Sequence, residues 1–404
     1  MKDKSFTSTI EIIANGFREV MEEDRSLDQV TAYWIKQNPQ WTDFSRGFFA
    51  ETLMEVVRWW SLLDNCVSNT LGSKSKDSYR LMVLTYLLIK CNDKRVDEFF
   101  SPSIQKQLFQ SYNEVQCVRA IAQSIPDWLD KLGFDELGDS WTSELNALNT
   151  LPPIILRSNT LKISKNELIR KLLAEGYRTE NVQLPDALIL SKRTSIFKSK
   201  SFHEGLFEVQ DASSQQVAPF LQVQPGMRVF DACAGNGGKT LHLASLMNNK
   251  GKILALDYAD WKLDELMNRS TRAGVTIIEP RTITTTKVVK RLKESADRLL
   301  LDVPCSGLGV LRRNPDSKWR LTPERIQEIK VTQANILEKY TQMLKIGGKC
   351  VYSTCSILPS ENQKQVELFL AKANGAFVLE DEKSISPAQS GFDGFYMARI
   401  RRIT

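Results

Sequence analysis

Over the first 150 residues, apolar side chains recur every three or four positions. Phe48 and Phe49 are followed by Leu53, Val56, Val57, Trp60 and Leu63, and Leu81, Leu84, Leu87 and Leu88 repeat the spacing. A period near 3.6 places such residues on one helical face and predicts amphipathic helices packed as a bundle. Turn formers at Asn38-Pro39, Leu71-Gly72-Ser73 and Ser101-Pro102 divide the region into short helices. At Leu151-Pro152-Pro153 the pattern changes. ILRSNTLKI reads as a strand, 166–175 as a helix and LILSKRTSIF as a strand, a small α/β piece closing near residue 205. Short β-rich runs then alternate with helical stretches: MRVFDA, KILALD, VTIIE, RLLLD, GGKCVYST and FYMARI. Such alternation predicts a mostly parallel sheet covered by helices. The expected organisation is a helical domain over 1–147, a small α/β subdomain over 148–205 and a Rossmann-like α/β domain over 206–404.

Composition narrows the class. Hydrophobic residues make up 42% of the 404, which excludes a disordered chain. The longest near-continuous apolar stretch, Leu81 to Ile89, is far short of the roughly 20 residues of a membrane span. The N-terminal MKDKSFTSTI has neither an apolar core nor a small-residue cleavage site, so a cytoplasmic enzyme or factor is expected; a monomer is expected besides. The net charge of +6 is uneven: residues 1–150 sum to −6 and 151–404 to +12. Basic residues concentrate at Lys192, Arg193, Lys198 and Lys200, at Lys287, Lys290, Arg291 and Lys293, and at Arg312, Arg313, Lys318 and Arg320. A polyanion, RNA or DNA, suits such a surface, and a merely solvated basic face is the plainer alternative. The seven cysteines form no CxxC pair and the chain has two histidines, His203 and His242. No metal site or histidine-based triad is expected, which leaves Cys, Asp, Lys or a bound cofactor to carry chemistry.

MRVFDACAGNGGKTLHLASL reads as strand, glycine turn and helix. The loop Cys233, Ala234, Gly235, Asn236, Gly237, Gly238 and Lys239 brings backbone close to a ligand, and the following helix offers free N–H groups to an anionic group. Asp257 ends the next strand, where a carboxylate would hold a ribose. The spacing is GxGG rather than GxGxxG, and Asp231 precedes the first glycine by four residues. Both features favour S-adenosylmethionine over a nicotinamide cofactor. The alternative is a tight turn with an incidental carboxylate.

Two thiols stand apart from the rest. Asp302, Pro304 and Cys305 follow the apolar run RLLLD, and Thr354 and Cys355 end GGKCVYST. The carboxyl edge of a doubly wound sheet is where ligands bind. Strand alternation puts Val351, Ser353 and Cys355 on one face and Cys350 and Tyr352 on the other, so the two thiols can meet. Neighbouring cations would lower their pKa. Cys66, Cys91 and Cys117 read as small buried hydrophobes, and Cys233 and Cys350 as packing residues.

At these residues the sequence resembles the RsmB/Sun (NSUN-type) RNA cytosine-5 methyltransferases. The resemblance runs from Gln210 to the C-terminus through QDASSQ, DACAGNGGKT, LALD, LLLDVPCSGLGVLRRNPDSKW, YSTCSILPSEN and DGFYMARIRR. LRSNTLK at 156–162 is similar to the start of that family's small RNA-binding subdomain, and the N-terminus is similar in kind to its NusB-like domain. The resemblance implies a class I methyltransferase with S-adenosylmethionine as donor and RNA as partner. Ribosomal RNA of the small subunit is preferred, with transfer RNA as an alternative and a poorly active ribosome-assembly factor as another. It implies Cys355 as nucleophile toward cytosine C6, Cys305 in product release, and Asp302 at the cytosine ring and the cofactor. Lys239 would orient cofactor or base. DNA cytosine-5 methyltransferases use the Pro-Cys thiol, here Cys305, and Thr354-Cys355 tilts the reading to RNA. Two positions depart from the family pattern. Asn236 stands where proline is common, and RTITTTKVV offers Thr284 and Thr285 where an acidic residue near the adenine is usual.

Overall fold

The computed structural model describes residues 4–23, 25–72 and 77–404. The chain forms two compact units. One holds the residues up to Thr150 together with Leu311–Pro323; the other holds Leu151–Val310 and Glu324–Thr404.

The first unit is helical, as the periodicity predicts. Its longer helices include Lys4–Glu22, Leu27–Gln37, Asp43–Arg58, Trp60–Leu71, Ser78–Ile89 and Pro102–Glu114. Ser26 and Gln29 form a capping box that starts the second, and Ser101-Pro102 starts the last, with serine as N-cap and proline in the first turn. Phe49, Leu53, Val56, Val57, Leu63, Leu84, Leu87 and Leu88 all lie in one buried core. The segment Leu311–Pro323 is built into this unit. The buried Arg58 guanidinium donates to the carbonyls of Leu148, Leu311 and Arg312 at 2.9–3.3 Å. Lys318 Nζ donates to Arg58 O at 2.8 Å, Trp319 Nε1 to Val57 O at 2.9 Å, and Asp316 Oδ2 accepts from Leu27 N at 3.2 Å. Arg312 and Lys318, read from sequence as part of a polyanion-facing cluster, are therefore buried among carbonyl oxygens. Trp319 draws the segment inward through its edge contact with Trp60.

The second unit contains two sheets. The smaller is antiparallel in the order β2-β3-β1-β4, with β1 Ile155–Ser158, β2 Thr179–Asn181, β3 Ala187–Leu190 and β4 Phe207–Val209. Because β4 pairs with β1, this subdomain extends past the expected boundary at 205. The larger has seven strands: β5 Arg228–Asp231, β6 Lys252–Asp257, β7 Ile278–Thr282, β8 Ala296–Asp302, β9 Leu344–Thr354, β10 Phe377–Ile385 and β11 Phe395–Arg402. Their order is β10-β11-β9-β8-β5-β6-β7, with β11 antiparallel to both its neighbours and the other pairs parallel. Leu299, Leu300 and Leu301 of central β8 are fully buried because helices cover both faces. The order reverses between β5 and β8, and in such sheets ligands bind at that point, outside the carboxyl ends of the strands.

The small sheet is docked through buried polar groups. Asn159 Nδ2 donates to Gly205 O and Ala273 O, each at 2.8 Å, and Arg157 Nη1 donates to Gly238 O at 2.8 Å. Arg157 and Asn159, two of the polar residues of the LRSNTLK motif, thus serve the fold from within.

Candidate active site

The glycine loop leaves β5 and enters the helix Gly238–Leu246. Gly237 N donates to Ala234 O at 3.0 Å, closing a tight turn, and Gly237 adopts φ +82°. A Cβ there would lie 2.5 Å from Leu266 Cγ, so backbone sign and space both demand glycine. Gly235, at φ +53°, faces open space instead, the kind of clearance a ligand lying on the backbone uses. The Asp257 carboxylate accepts from Gly235 N at 2.9 Å and Ala259 N at 3.0 Å. Asn236 O accepts from Arg269 Nη1 at 2.7 Å. Cys233 packs against the core of the sheet, and burial pushes its thiol well up.

Asp231, at the end of β5, is buried and accepts from Thr240 Oγ1 at 2.7 Å, while its Oδ1 has no hydrogen-bond partner among the described residues. Burial pushes its carboxyl up to about 7. The orphaned oxygen, the open face at Gly235 and the free first-turn N–H groups of the Gly238 helix fit a ligand carrying an ammonium and a carboxylate. S-adenosylmethionine carries both. Thr284 and Thr285 follow β7 and are exposed, with Thr285 as N-cap of Thr286–Arg291.

Asp302 ends β8 opposite Ser353 of β9. Its Oδ2 receives Lys239 Nζ at 2.6 Å and its Oδ1 receives Ser353 Oγ at 2.9 Å. Lys239 thus joins the cofactor loop to the β8 motif. The sulfurs of Cys305 and Cys355 are 3.2 Å apart. Val351 and Cys355 pack on one face of the sheet, Cys350 and Tyr352 on the other, as strand alternation requires. The expected cation beside the thiols is absent from the described residues around Cys305. The hydrogen bond with Cys355, burial and the charge of Glu361 hold the Cys305 thiol well above its usual range. Lys239 is occupied by Asp302 instead. Cys91 and Cys117 are exposed, contrary to the reading of them as buried: Cys91 follows the helix Ser78–Ile89 and Cys117 ends the short 3-10 helix Val115–Cys117.

Sequence reasoning missed the polar cluster beneath the thiols. Glu361 is fully buried and accepts from Ser306 N at 2.8 Å, from Gln333 Nε2 at 3.0 Å, and from the hydroxyls of Ser306 and Ser356. Its signal lies in YSTCSILPSEN, where Glu361 stands six residues after Cys355.

Residues 218–401 match the family described as 16S rRNA methyltransferase RsmB/F, and 125–197 match the ferredoxin-like domain of RsmF/B-like methyltransferases. The chain is 43% identical over 298 residues to a probable ribosomal RNA small subunit methyltransferase B of Synechocystis, covering 69% of this chain and 67% of that protein. It is 32% identical to the Bacillus subtilis protein of the same description, covering 74% and 72%. Against ribosomal RNA small subunit methyltransferase B of Pasteurella multocida it is 36% identical over 69% of its length, spanning 65% of that protein. The crystal structure of a methyltransferase homologue from Pyrococcus horikoshii superposes with a TM-score of 0.64 at 27% identity, covering 75% of this chain and all of that one. The structure of PH0851 superposes at 0.79 and 25% identity over 98% of both chains. Sequence and fold agree that the chain belongs to the RsmB/F family of S-adenosylmethionine-dependent 16S rRNA methyltransferases.

Proposed function

We propose that this chain methylates C5 of a cytosine in small-subunit ribosomal RNA, with Cys355 as the nucleophile. The observation that carries this reading is the pair of thiols 3.2 Å apart at the ends of adjacent strands, next to a carboxylate held by a lysine. C5 of an intact cytosine ring is a poor nucleophile. Addition of the Cys355 thiolate at C6 breaks the C5–C6 double bond and leaves C5 enamine-like. Bound S-adenosylmethionine supplies an electrophilic methyl group to this site. Cys233 through Lys239, with Asp257 and Asp302, would hold it. Asp302, oriented by Lys239 and Ser353, would meet the cytosine ring near N3 and hold by hydrogen bond the proton that N3 takes up as addition makes it basic.

Cys305, whose thiol stays protonated, lies within hydrogen-bond reach of the Cys355 sulfur and would donate to it when Cys355 is a thiolate. As C5 gives its proton to a water, the C5–H electron pair rebuilds the C5–C6 double bond and the S–C6 bond breaks, so that Cys355 leaves as a thiolate that the Cys305 S–H stabilises. The target base must leave its stack to reach this site, so a loop or opened helix is the expected substrate.

The test is parallel incubation with methyl-labelled S-adenosylmethionine and small-subunit ribosomal RNA, transfer RNA or DNA, with nucleosides identified by mass spectrometry. 5-Methylcytosine in ribosomal RNA, lost in Cys355→Ala, supports the proposal; label in transfer RNA alone replaces the substrate. Cys305→Ala is expected to accumulate a protein–RNA adduct stable on a denaturing gel, and Cys355→Ala none. The reverse pattern would overturn the assignment of nucleophile.

A further inference from the structure

We propose that Glu361 is a positioning residue that sets the distance between the two thiols. The inference deepens the reading above, because it takes Cys305 and Cys355 to serve one reaction. Glu361 is 0% exposed, and a carboxylate taken out of water costs several kcal/mol unless its oxygens are satisfied. No ion pair of Glu361 is found among the described residues; its partners are four hydrogen-bond donors. Two of them, Ser306 N and Ser306 Oγ, belong to the residue after Cys305. A third, Ser356 Oγ, belongs to the residue after Cys355 and lies 2.6 Å away. The fourth, Gln333 Nε2, also donates to Pro304 O at 3.0 Å, so it ties the same loop a second time.

One buried carboxylate therefore staples both thiol loops one residue from each sulfur. The clamp is itself anchored: Tyr352 OH donates to Glu361 O at 2.6 Å, and Glu361 N donates to Leu358 O at 3.0 Å. Movement of either loop would strand a buried donor or acceptor, which costs more than an equivalent apolar contact. Directional bonds fix a register that non-directional packing leaves loose.

Glu361→Gln and Glu361→Ala separate geometry from charge. A glutamine keeps the shape, accepts from Ser306 N and Gln333 with its oxygen, and donates to the two hydroxyls, which can turn to accept. Alanine removes the clamp. In the full chain, the rate at which diamide joins Cys305 to Cys355, followed by peptide mass spectrometry, reads the spacing without RNA or methyl transfer. Wild type and Glu361→Gln are expected within about threefold of each other and Glu361→Ala at least about tenfold slower, with kcat on RNA falling about 100-fold in the alanine variant and KM for RNA unchanged. Should Glu361→Ala fail to fold, the double change Ser306→Ala with Ser356→Ala removes the two hydroxyl contacts and is expected to slow joining by a smaller factor. Joining at the wild-type rate in Glu361→Ala, or in that double variant where alanine does not fold, overturns the proposal. So does Glu361→Gln as slow as alanine, because charge rather than geometry would then decide. The expected joining pattern in a chain that transfers no methyl to RNA would support the clamp while counting against the proposed function.

Discussion

Asp231 is the most exacting single residue at the carboxyl end of β5. Its carboxyl is 1% exposed, with one oxygen on Thr240 and the other unpartnered among the described residues, and burial raises it to about 7. A carboxyl whose folded pKa lies above its unfolded value of 3.8 stabilises the fold fully below pH 3.8, and that contribution is lost as pH rises through 7. Asp231→Asn, which cannot ionise, is therefore expected to gain about 2–4 kcal/mol over the parent at pH 8 relative to pH 4. Urea unfolding at the two pH values measures this; an equal difference at both would refute it. Gly237→Ala should act in the opposite direction. Positive φ and the 2.5 Å approach to Leu266 cost about 2–4 kcal/mol, visible in the same assay. Cys305, Cys355, Asp302 and Lys239 were legible because their motifs sit at strand ends and a glycine turn. Glu361 was not, since a lone glutamate among serine, proline and asparagine reads as solvated until tertiary packing buries it.

Elements were legible where burial writes a pattern. Strands β5, β6, β8, β9 and β11 lie in the runs the alternation marked, because the middle of the sheet is apolar on both faces. Strand β10, FVLEDEKSI, escaped because its pairing is bound up with charge. Lys349, Arg399 and Arg401 converge on Glu380, and although burial would raise that carboxyl, their hydrogen bonds pull it down to about 2. The stability from such a group is present above its ordinary 4.5 and is lost as pH falls toward 2. Glu380→Gln should lower Tm at pH 7, and the gap to wild type should narrow as scans are taken down to pH 3. A pH-independent gap would point to packing instead. Arg157 tests the docking of the small sheet. It is buried, with its pKa lowered to about 10 by burial, and binds Gly238 O and the Gln210 side chain. Arg157→Ala is expected to cost about 3 kcal/mol and to weaken the thermal shift given by S-adenosylmethionine, because the first turn of the glycine-loop helix loses its brace.

At the scale of the molecule, the charge map changes once the fold is known. Leu311–Pro323 carries four basic residues and one acidic, and assigning it to the helical unit leaves that unit at −3 and the α/β unit at +9. The α/β unit remains the basic one, so RNA affinity should fall steeply with salt, a dependence that titration at several ionic strengths would read. No local pattern in LRRNPDSKWRLTP marks it as part of another unit. Its place follows from long-range contacts to Arg58, Val57 and Leu27, which periodicity along the chain cannot express. This sets a limit on truncation. A chain of residues 151–404 keeps every strand among the described residues and both thiols, yet it deprives Trp319, Lys318 and Arg312 of the partners that bury them. Lys318 is held with its pKa well below the usual lysine range by burial, so its release into water changes ionisation as well as exposure. The truncated chain is expected to precipitate or melt well below the full chain, even though nothing in its glycine loop or thiol motifs has changed. Cooperative unfolding of residues 151–404 at the full-length Tm would show instead that the inserted segment contributes nothing to the α/β unit, and that the helical unit merely holds it.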